Sequence, residues 1–93
     1  MRNYELVFIC HPDLDDNAVG EIINKISGWI SEDGGKVTKL DHWGKRTLAY
    51  LIRKQSEGHY IYMDLTIPPS TCAKLERNLR IMEPILRYSL IVN

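Results

Sequence analysis

Asp41–Ile67, DHWGKRTLAYLIRKQSEGHYIYMDLTI, reads as two extended segments joined by a polar turn. In the first, Leu48, Tyr50 and Ile52 fall on one side and Thr47, Ala49, Leu51 and Arg53 on the other. That period of two is the signature of a strand with one buried face. In the second, Ile61, Met63, Leu65 and Ile67 alternate with Tyr60, Tyr62, Asp64 and Thr66. Arg53–Gly58, RKQSEG, lies between them as a polar hairpin loop. The first strand extends back to about Lys36, but Val37 is out of phase with Leu40 and the later inward set. A bulge is therefore expected before or at Gly44, since glycine within a strand marks a bulge or a close backbone approach.

Upstream, RNYELVFIC (residues 2–10) forms a strand with Tyr4, Leu6, Phe8 and Cys10 on one face and Glu5, Val7 and Ile9 on the other. Both faces are largely apolar, as befits a central strand. Asp15 is the expected N-cap of a helix, with Asp16 in its first turn. Val19, Ile22, Ile23, Ile26, Trp29 and Ile30 then recur at helical spacing, and Gly34-Gly35 ends the helix. Downstream, Pro68-Pro69-Ser70 breaks the hairpin's second strand, and Ser70 is placed to cap a second helix. Cys72, Leu75, Leu79 and Met82 make its inner stripe, and Glu83-Pro84 ends it. Ile85–Val92 is the last strand, with Tyr88, Leu90 and Val92 inward.

The order β-α-β-β-α-β, with singly striped helices, implies two layers. Right-handed crossovers give an α+β, ferredoxin-like split β-α-β sandwich: a four-stranded antiparallel sheet with two helices on one face. Residues 1–93 form one such domain on this reading. The sheet's other face stays uncovered, presenting Glu5, Val7, Ile9, Tyr60, Tyr62, Asp64, Ser89 and Ile91 as a candidate binding surface.

The net charge is zero, but it is unevenly spread. Residues 1–35 set two cations against seven acids, and residues 36–54 set six cations against Asp41 alone. This implies a local field and argues against nonspecific duplex binding, which needs many phosphate contacts. Cys10 and Cys72 show no metal or redox spacing and read as free thiols of a reducing cytosol. The apolar run Leu6–Cys10 is too short for a membrane span or a signal core, so a cytoplasmic protein is expected.

Catalysis finds little support. Asp13, Asp15 and Asp16 resemble a metal cluster, but helix capping accounts for them more economically. His11, His42 and His59 lack ligand spacing and read as surface residues. The loop after strand one, Cys10–Asp15, is anionic and has no glycine, so it would repel phosphate. Tyr60 and Tyr62 suit either base stacking or a protein interface. Arg2, Lys45, Arg46, Arg53 and Lys54 either position phosphates or form a solvated edge.

Several motifs together resemble a known family. They are Met1-Arg2-x-Tyr4-Glu5, His11-Pro12-Asp13, Trp43-Gly44-Lys45-Arg46-x-Leu48-Ala49-Tyr50-x-Ile52 and Gly58-His59-Tyr60. Over essentially the whole chain the pattern is similar to that of ribosomal protein six of the bacterial small subunit. The resemblance implies a non-catalytic, cofactor-free role on the cytoplasmic ribosome. It implies binding to the central domain of small-subunit ribosomal RNA together with ribosomal protein eighteen, with no membrane and no small-molecule substrate. By position it makes Arg2, Trp43, Lys45, Arg46, Arg53 and Lys54 candidate RNA contacts. Glu5, Val7, Ile9, Tyr60, Tyr62 and Ile91 are the candidate partner contacts. Two departures stand out: Leu51 replaces a proline common among relatives, and no charged tail follows Asn93. Rival readings are a cytosolic ligand-binding domain that oligomerises through its open sheet face, and a small phosphate-handling enzyme.

Overall fold

A computed structural model describes Met1–Asn93. The elements are β1 (Arg2–Cys10), α1 (Asp16–Glu32), β2 (Lys36–Ile52), β3 (Gln55–Ile67), α2 (Thr71–Ile81) and β4 (Ile85–Val92). The four strands form one sheet in the order β2-β3-β1-β4, every neighbouring pair antiparallel. Both helices cover one face, as the alternation along β1 and β3 requires.

Local chemistry sets the ends of α1. The Asp15 carboxylate accepts a hydrogen bond from the Ala18 N–H at 2.8 Å, satisfying one orphan donor of the first turn. At the other end Gly34 takes φ +81°. Its N–H reaches the Ser31 carbonyl at 3.0 Å, and the Gly35 N–H reaches that of Ile30 at 2.9 Å. This pair of bonds is a Schellman motif. Gly35 has a further constraint: a Cβ there would lie 2.7 Å from Ile67 Cγ2 and 2.8 Å from the Thr66 carbonyl oxygen.

The main core joins Tyr4, Leu6, Phe8 and Cys10 of β1 to Val19, Ile22, Ile26 and Ile30 of α1. Ile61, Met63, Leu65 and Ile67 of β3 and Leu75 and Leu79 of α2 complete it, with Ile85 at the margin. Burying each large aliphatic stabilises the fold by about 1.5–3 kcal/mol before entropy is counted. Asp33 ties the helices together, accepting from Lys74 at 3.1 Å and from Thr71 Oγ1 at 3.2 Å.

Several local expectations are corrected. Ser70 makes no side-chain cap; α2 instead opens on a turn in which Thr71 and Cys72 donate to the carbonyls of Pro68 and Pro69. The hairpin loop is two residues rather than six, because Gln55–Gly58 pair as strand. Its residues, Arg53 and Lys54, have φ of +49° and +65°, as a type I′ turn demands. Leu48 is buried, but on the sheet's other side, in a small cluster with Ile9 and Leu86; Tyr50, its alternation partner, is 59% exposed. Val92 is also exposed, whereas Tyr88 and Leu90 pack against the core. His59, read as a surface residue, is buried and donates through Nε2 to the Leu14 carbonyl at 2.9 Å.

Candidate nucleic-acid and partner interface

The open face is built by register. Glu5, Val7 and Ile9 of β1 stand opposite Asp64, Tyr62 and Tyr60 of β3. On their other flank they meet Ile91, Ser89 and Arg87 of β4. Adding β2 brings in Trp43. It is the unpaired residue of a bulge, between the pairs His42–Ile61 and Gly44–Tyr60. Gly44 permits this by taking φ +86°, a conformation strained for any residue with a Cβ.

Released from the ladder, the Trp43 indole lies nearly parallel to both tyrosines. Its ring centroid is 6.2 Å from that of Tyr60 at 15° and 5.9 Å from that of Tyr62 at 10°. Arg46 sits 5.6 Å from the indole centroid and donates from Nε to the Trp43 carbonyl at 3.5 Å. Lys39 lies 5.8 Å from the Tyr62 ring. Three aromatic rings thus form a platform edged by two cations, and Trp43 remains 43% exposed.

The platform divides the face by charge. At one end the Tyr62 hydroxyl lies 2.6 Å from Asp64 Oδ1 and 2.9 Å from Glu5 Oε1. A phenol with one proton set between two carboxyls resists ionisation. The bond to Asp64, then desolvation and the bond to Glu5, hold its pKa well above tyrosine's usual value. From Glu5 to Ile9, about 14 Å along β1 at ~3.4 Å per residue, the face turns cationic. There Arg87 lies 5.6 Å from the Tyr50 ring and donates to its hydroxyl, while Arg53 Nη1 donates to the Glu83 carbonyl at 3.0 Å.

The candidate contacts do not all fall on this surface. Trp43, Arg46, Tyr60, Tyr62, Glu5, Val7 and Ile91 share the open face. Ile9 is turned the same way but is only 8% exposed, sealed by Leu48 and Leu86. Gly58 lets the hairpin close over it, since a Cβ there would meet Ile9 Cγ2 at 2.4 Å. Lys45 pairs with His59 and Arg46 with Gly58, so alternation resumes after Gly44 and these cations leave the edge strand on opposite faces. Arg53 and Lys54 lie beyond the cationic end, in the hairpin turn. Arg2 is exposed at the sheet's far end, opposite Ile67, with the parity of Tyr4 rather than of Glu5.

Sequence reasoning missed Arg87 and Lys39. The alternation that placed Ser89 and Ile91 on the open face extends to Arg87, so that signal was present. Lys39 had none, because it follows the register shift between Val37 and Lys39. No cluster of His, Cys, Asp and Glu is arranged for a metal. Cys10 is a buried thiol whose pKa desolvation pushes up to about 12, which suppresses the reactive thiolate. No helix is long and apolar enough to cross a membrane.

Fold and face together define a ferredoxin-like α+β protein whose sheet lies open on one side. The sequence profile described as ribosomal protein S6 matches residues 3–92. A small ribosomal subunit protein bS6 from Moorella thermoacetica is 41% identical over 88 residues, covering 95% of this chain and 90% of that protein. Its counterpart from Nocardia farcinica is 44% identical over 91 residues, covering 98% and 96%. The crystal structure of 30S ribosomal protein S6 from Thermotoga maritima superposes with a TM-score of 0.93 at 27% identity, covering 99% of this chain and 87% of that one. The chain belongs to the ribosomal protein S6 family of the small ribosomal subunit, which places it on the cytoplasmic ribosome. Its relatives are structural ribosomal proteins rather than enzymes.

Proposed function

We propose that this chain is a non-catalytic assembly protein that binds the central domain of small-subunit ribosomal RNA jointly with ribosomal protein eighteen. The observation that carries this reading is the charge-divided open face. One side offers Arg46 on the Trp43–Tyr60–Tyr62 platform, together with the arginines of the hairpin end. Guanidinium groups and stacked rings suit a single-stranded or irregular RNA segment. The other side offers Glu5 and Asp64 around Tyr62, bordered by the apolar Val7 and Ile91, which suits a basic protein partner. Zero net charge fits a protein that shares its phosphate contacts with a cationic partner. Within this reading Trp43, Arg46, Arg53 and Lys54 face RNA, and Glu5, Val7, Tyr62 and Ile91 face the partner. Ile9, covered by Leu48 and Leu86, packs beside Tyr60 at the edge of the platform. Lys45 and Arg2 are peripheral cations.

Chemical footprinting of a central-domain RNA fragment tests the proposal. Protection by this chain should be faint alone and extended when ribosomal protein eighteen is present. An identical footprint with and without the partner would overturn the joint-binding reading. Sedimentation of cell extract addresses the rival, in which the chain runs as a free homo-oligomer rather than with small subunits.

A further inference from the structure

Arg53 and Arg87, at the cationic end of the open face, meet a third arginine, Arg80, where the hairpin turn, the end of α2 and the start of β4 come together. Arg53, Arg80 and Arg87 line a recess of about 220 Å³ with Leu79, Ile85, Leu86 and Tyr88. All three are exposed, and none forms an ion pair. The chain's salt bridges are His11–Asp13, Lys39–Asp41 and Lys74–Asp33. Glu76, one turn before Arg80, stays outside ion-pair distance.

The arginines are instead steadied by neutral oxygens. Arg53 donates to the Glu83 carbonyl at 3.0 Å, and Arg87 donates to the Tyr50 hydroxyl. The Tyr88 hydroxyl lies beside Arg80 and favours its charged form. A guanidinium carries five N–H donors, so one such bond orients it while leaving most of its donors free. The negative end of α2 would ordinarily repel an anion here. Arg80 in the last turn and Arg53 on the Glu83 carbonyl offset that field. What results is a pre-oriented triple cation without an ion-pair partner, over an apolar floor; Glu76 acts on Arg80 only from beyond ion-pair distance. Its complement is a tetrahedral anion with several acceptor oxygens.

We propose that this recess is a backbone-phosphate site for ribosomal RNA, in which Arg80 and Arg87 act with Arg53 on the phosphodiester chain. The proposal rests on the RNA-binding reading above and adds a contact region to it. Continuity favours RNA as the source: Arg87 stands opposite Ile9, whose neighbour Tyr60 belongs to the aromatic platform. Its one aromatic lining residue, Tyr88, packs against the main core with its hydroxyl beside Arg80, so the recess holds the backbone rather than stacking a base.

The test is a salt titration of complex formation. It uses the full chain, ribosomal protein eighteen and a central-domain RNA fragment. Arg80→Gln and Arg87→Gln should each flatten the log–log salt slope by about 0.7–0.9, the value of one phosphate left unneutralised. Arg80→Lys and Arg87→Lys keep the charge and should keep the slope, while binding more weakly for want of the planar fork. Arg87→Gln also removes the bond to Tyr50. Tyr50→Phe removes the same bond and should leave the slope unchanged. Gln variants with the wild-type slope would overturn the recess while leaving the RNA reading standing. Lys and Gln variants that flatten the slope equally would show a structural role and overturn it too. Wild-type protein that fails to bind the fragment with its partner would overturn both.

Discussion

Leu48, Gly58 and Ile9 make one small device on the uncovered side of the sheet, and each residue is explicable by what it touches. Leu48 and Leu86 seal Ile9, and Gly58 is the only residue type that lets the hairpin close so tightly. Gly58→Ala should therefore destabilise the protein by about 1–3 kcal/mol in denaturant melts, since the added methyl meets Ile9 and the Cys10 carbonyl. Ile26→Ala, in the main core, should cost about 2–5 kcal/mol. Lys54 shows the opposite situation: at φ +65° it is held in a conformation unfavourable to any residue with a Cβ. Lys54→Gly should raise stability by roughly 1 kcal/mol while removing one cation from the candidate RNA surface. Cys10 gives the pH dependence a definite sign. Its folded-state pKa, raised from 9.0 to about 12, means that the folded protein holds this proton more tightly than the unfolded chain. The associated stability is complete below about pH 9 and declines by up to ~1.4 kcal/mol per pH unit as pH rises toward 12. Stability curves of wild type and Cys10→Ala measured across that window should converge from this cause; parallel curves would contradict it.

The elements differ in how openly the sequence declared them. α1 was legible to its caps because Asp15, the aliphatic stripe and Gly34-Gly35 agree. β1 and β3 were legible because strict alternation matches a sheet covered on one side. β2 was legible as a strand but not in its facing. Three register shifts interrupt its pairing with β3, and each resets which parity points inward. Between the pairs Thr47–Glu57 and Ile52–Gln55, β2 passes four residues against one of β3. A period-two reading assigned Leu48 to the helix side and Tyr50 to the interior because alternation cannot see such an irregularity. The hairpin turn was misjudged for a related reason. Arg53-Lys54 lacks the Asn-Gly signal that usually marks a two-residue loop, so polarity alone suggested a longer one. Gly44 is the testable joint of β2. Gly44→Ala, at φ +86°, should cost about 1 kcal/mol and loosen the Trp43 stack. Weakened near-ultraviolet circular dichroism would report that change; an unaltered aromatic signal would mean that the glycine does not position the indole.

Across the whole molecule, the open face was foreseeable and its internal division was only partly so. Strand order and parity put Glu5, Val7, Tyr60, Tyr62 and Ile91 together, as the alternation implies. That Trp43 joins them depends on one bulge, and that the cations cluster at one end depends on chain reversal at Arg53-Lys54. Neither can be read from spacing alone. The consequence is a protein of zero net charge that still presents a local cationic surface beside an anionic, apolar one. On our proposal the two surfaces separate experimentally. Arg46→Gln should flatten the salt dependence of assembly on RNA. Tyr62→Ala should weaken partner docking with little change in slope. If the Tyr62 variant alone altered the slope, the two ends of the face would have been assigned the wrong way round. The most direct measurement is the affinity of this chain for a central-domain RNA fragment at one fixed salt concentration, with and without ribosomal protein eighteen. Joint binding predicts weak association alone and a gain of about 5–150-fold with the partner, the usual range of coupling between two sites; equal affinity in both conditions would contradict it.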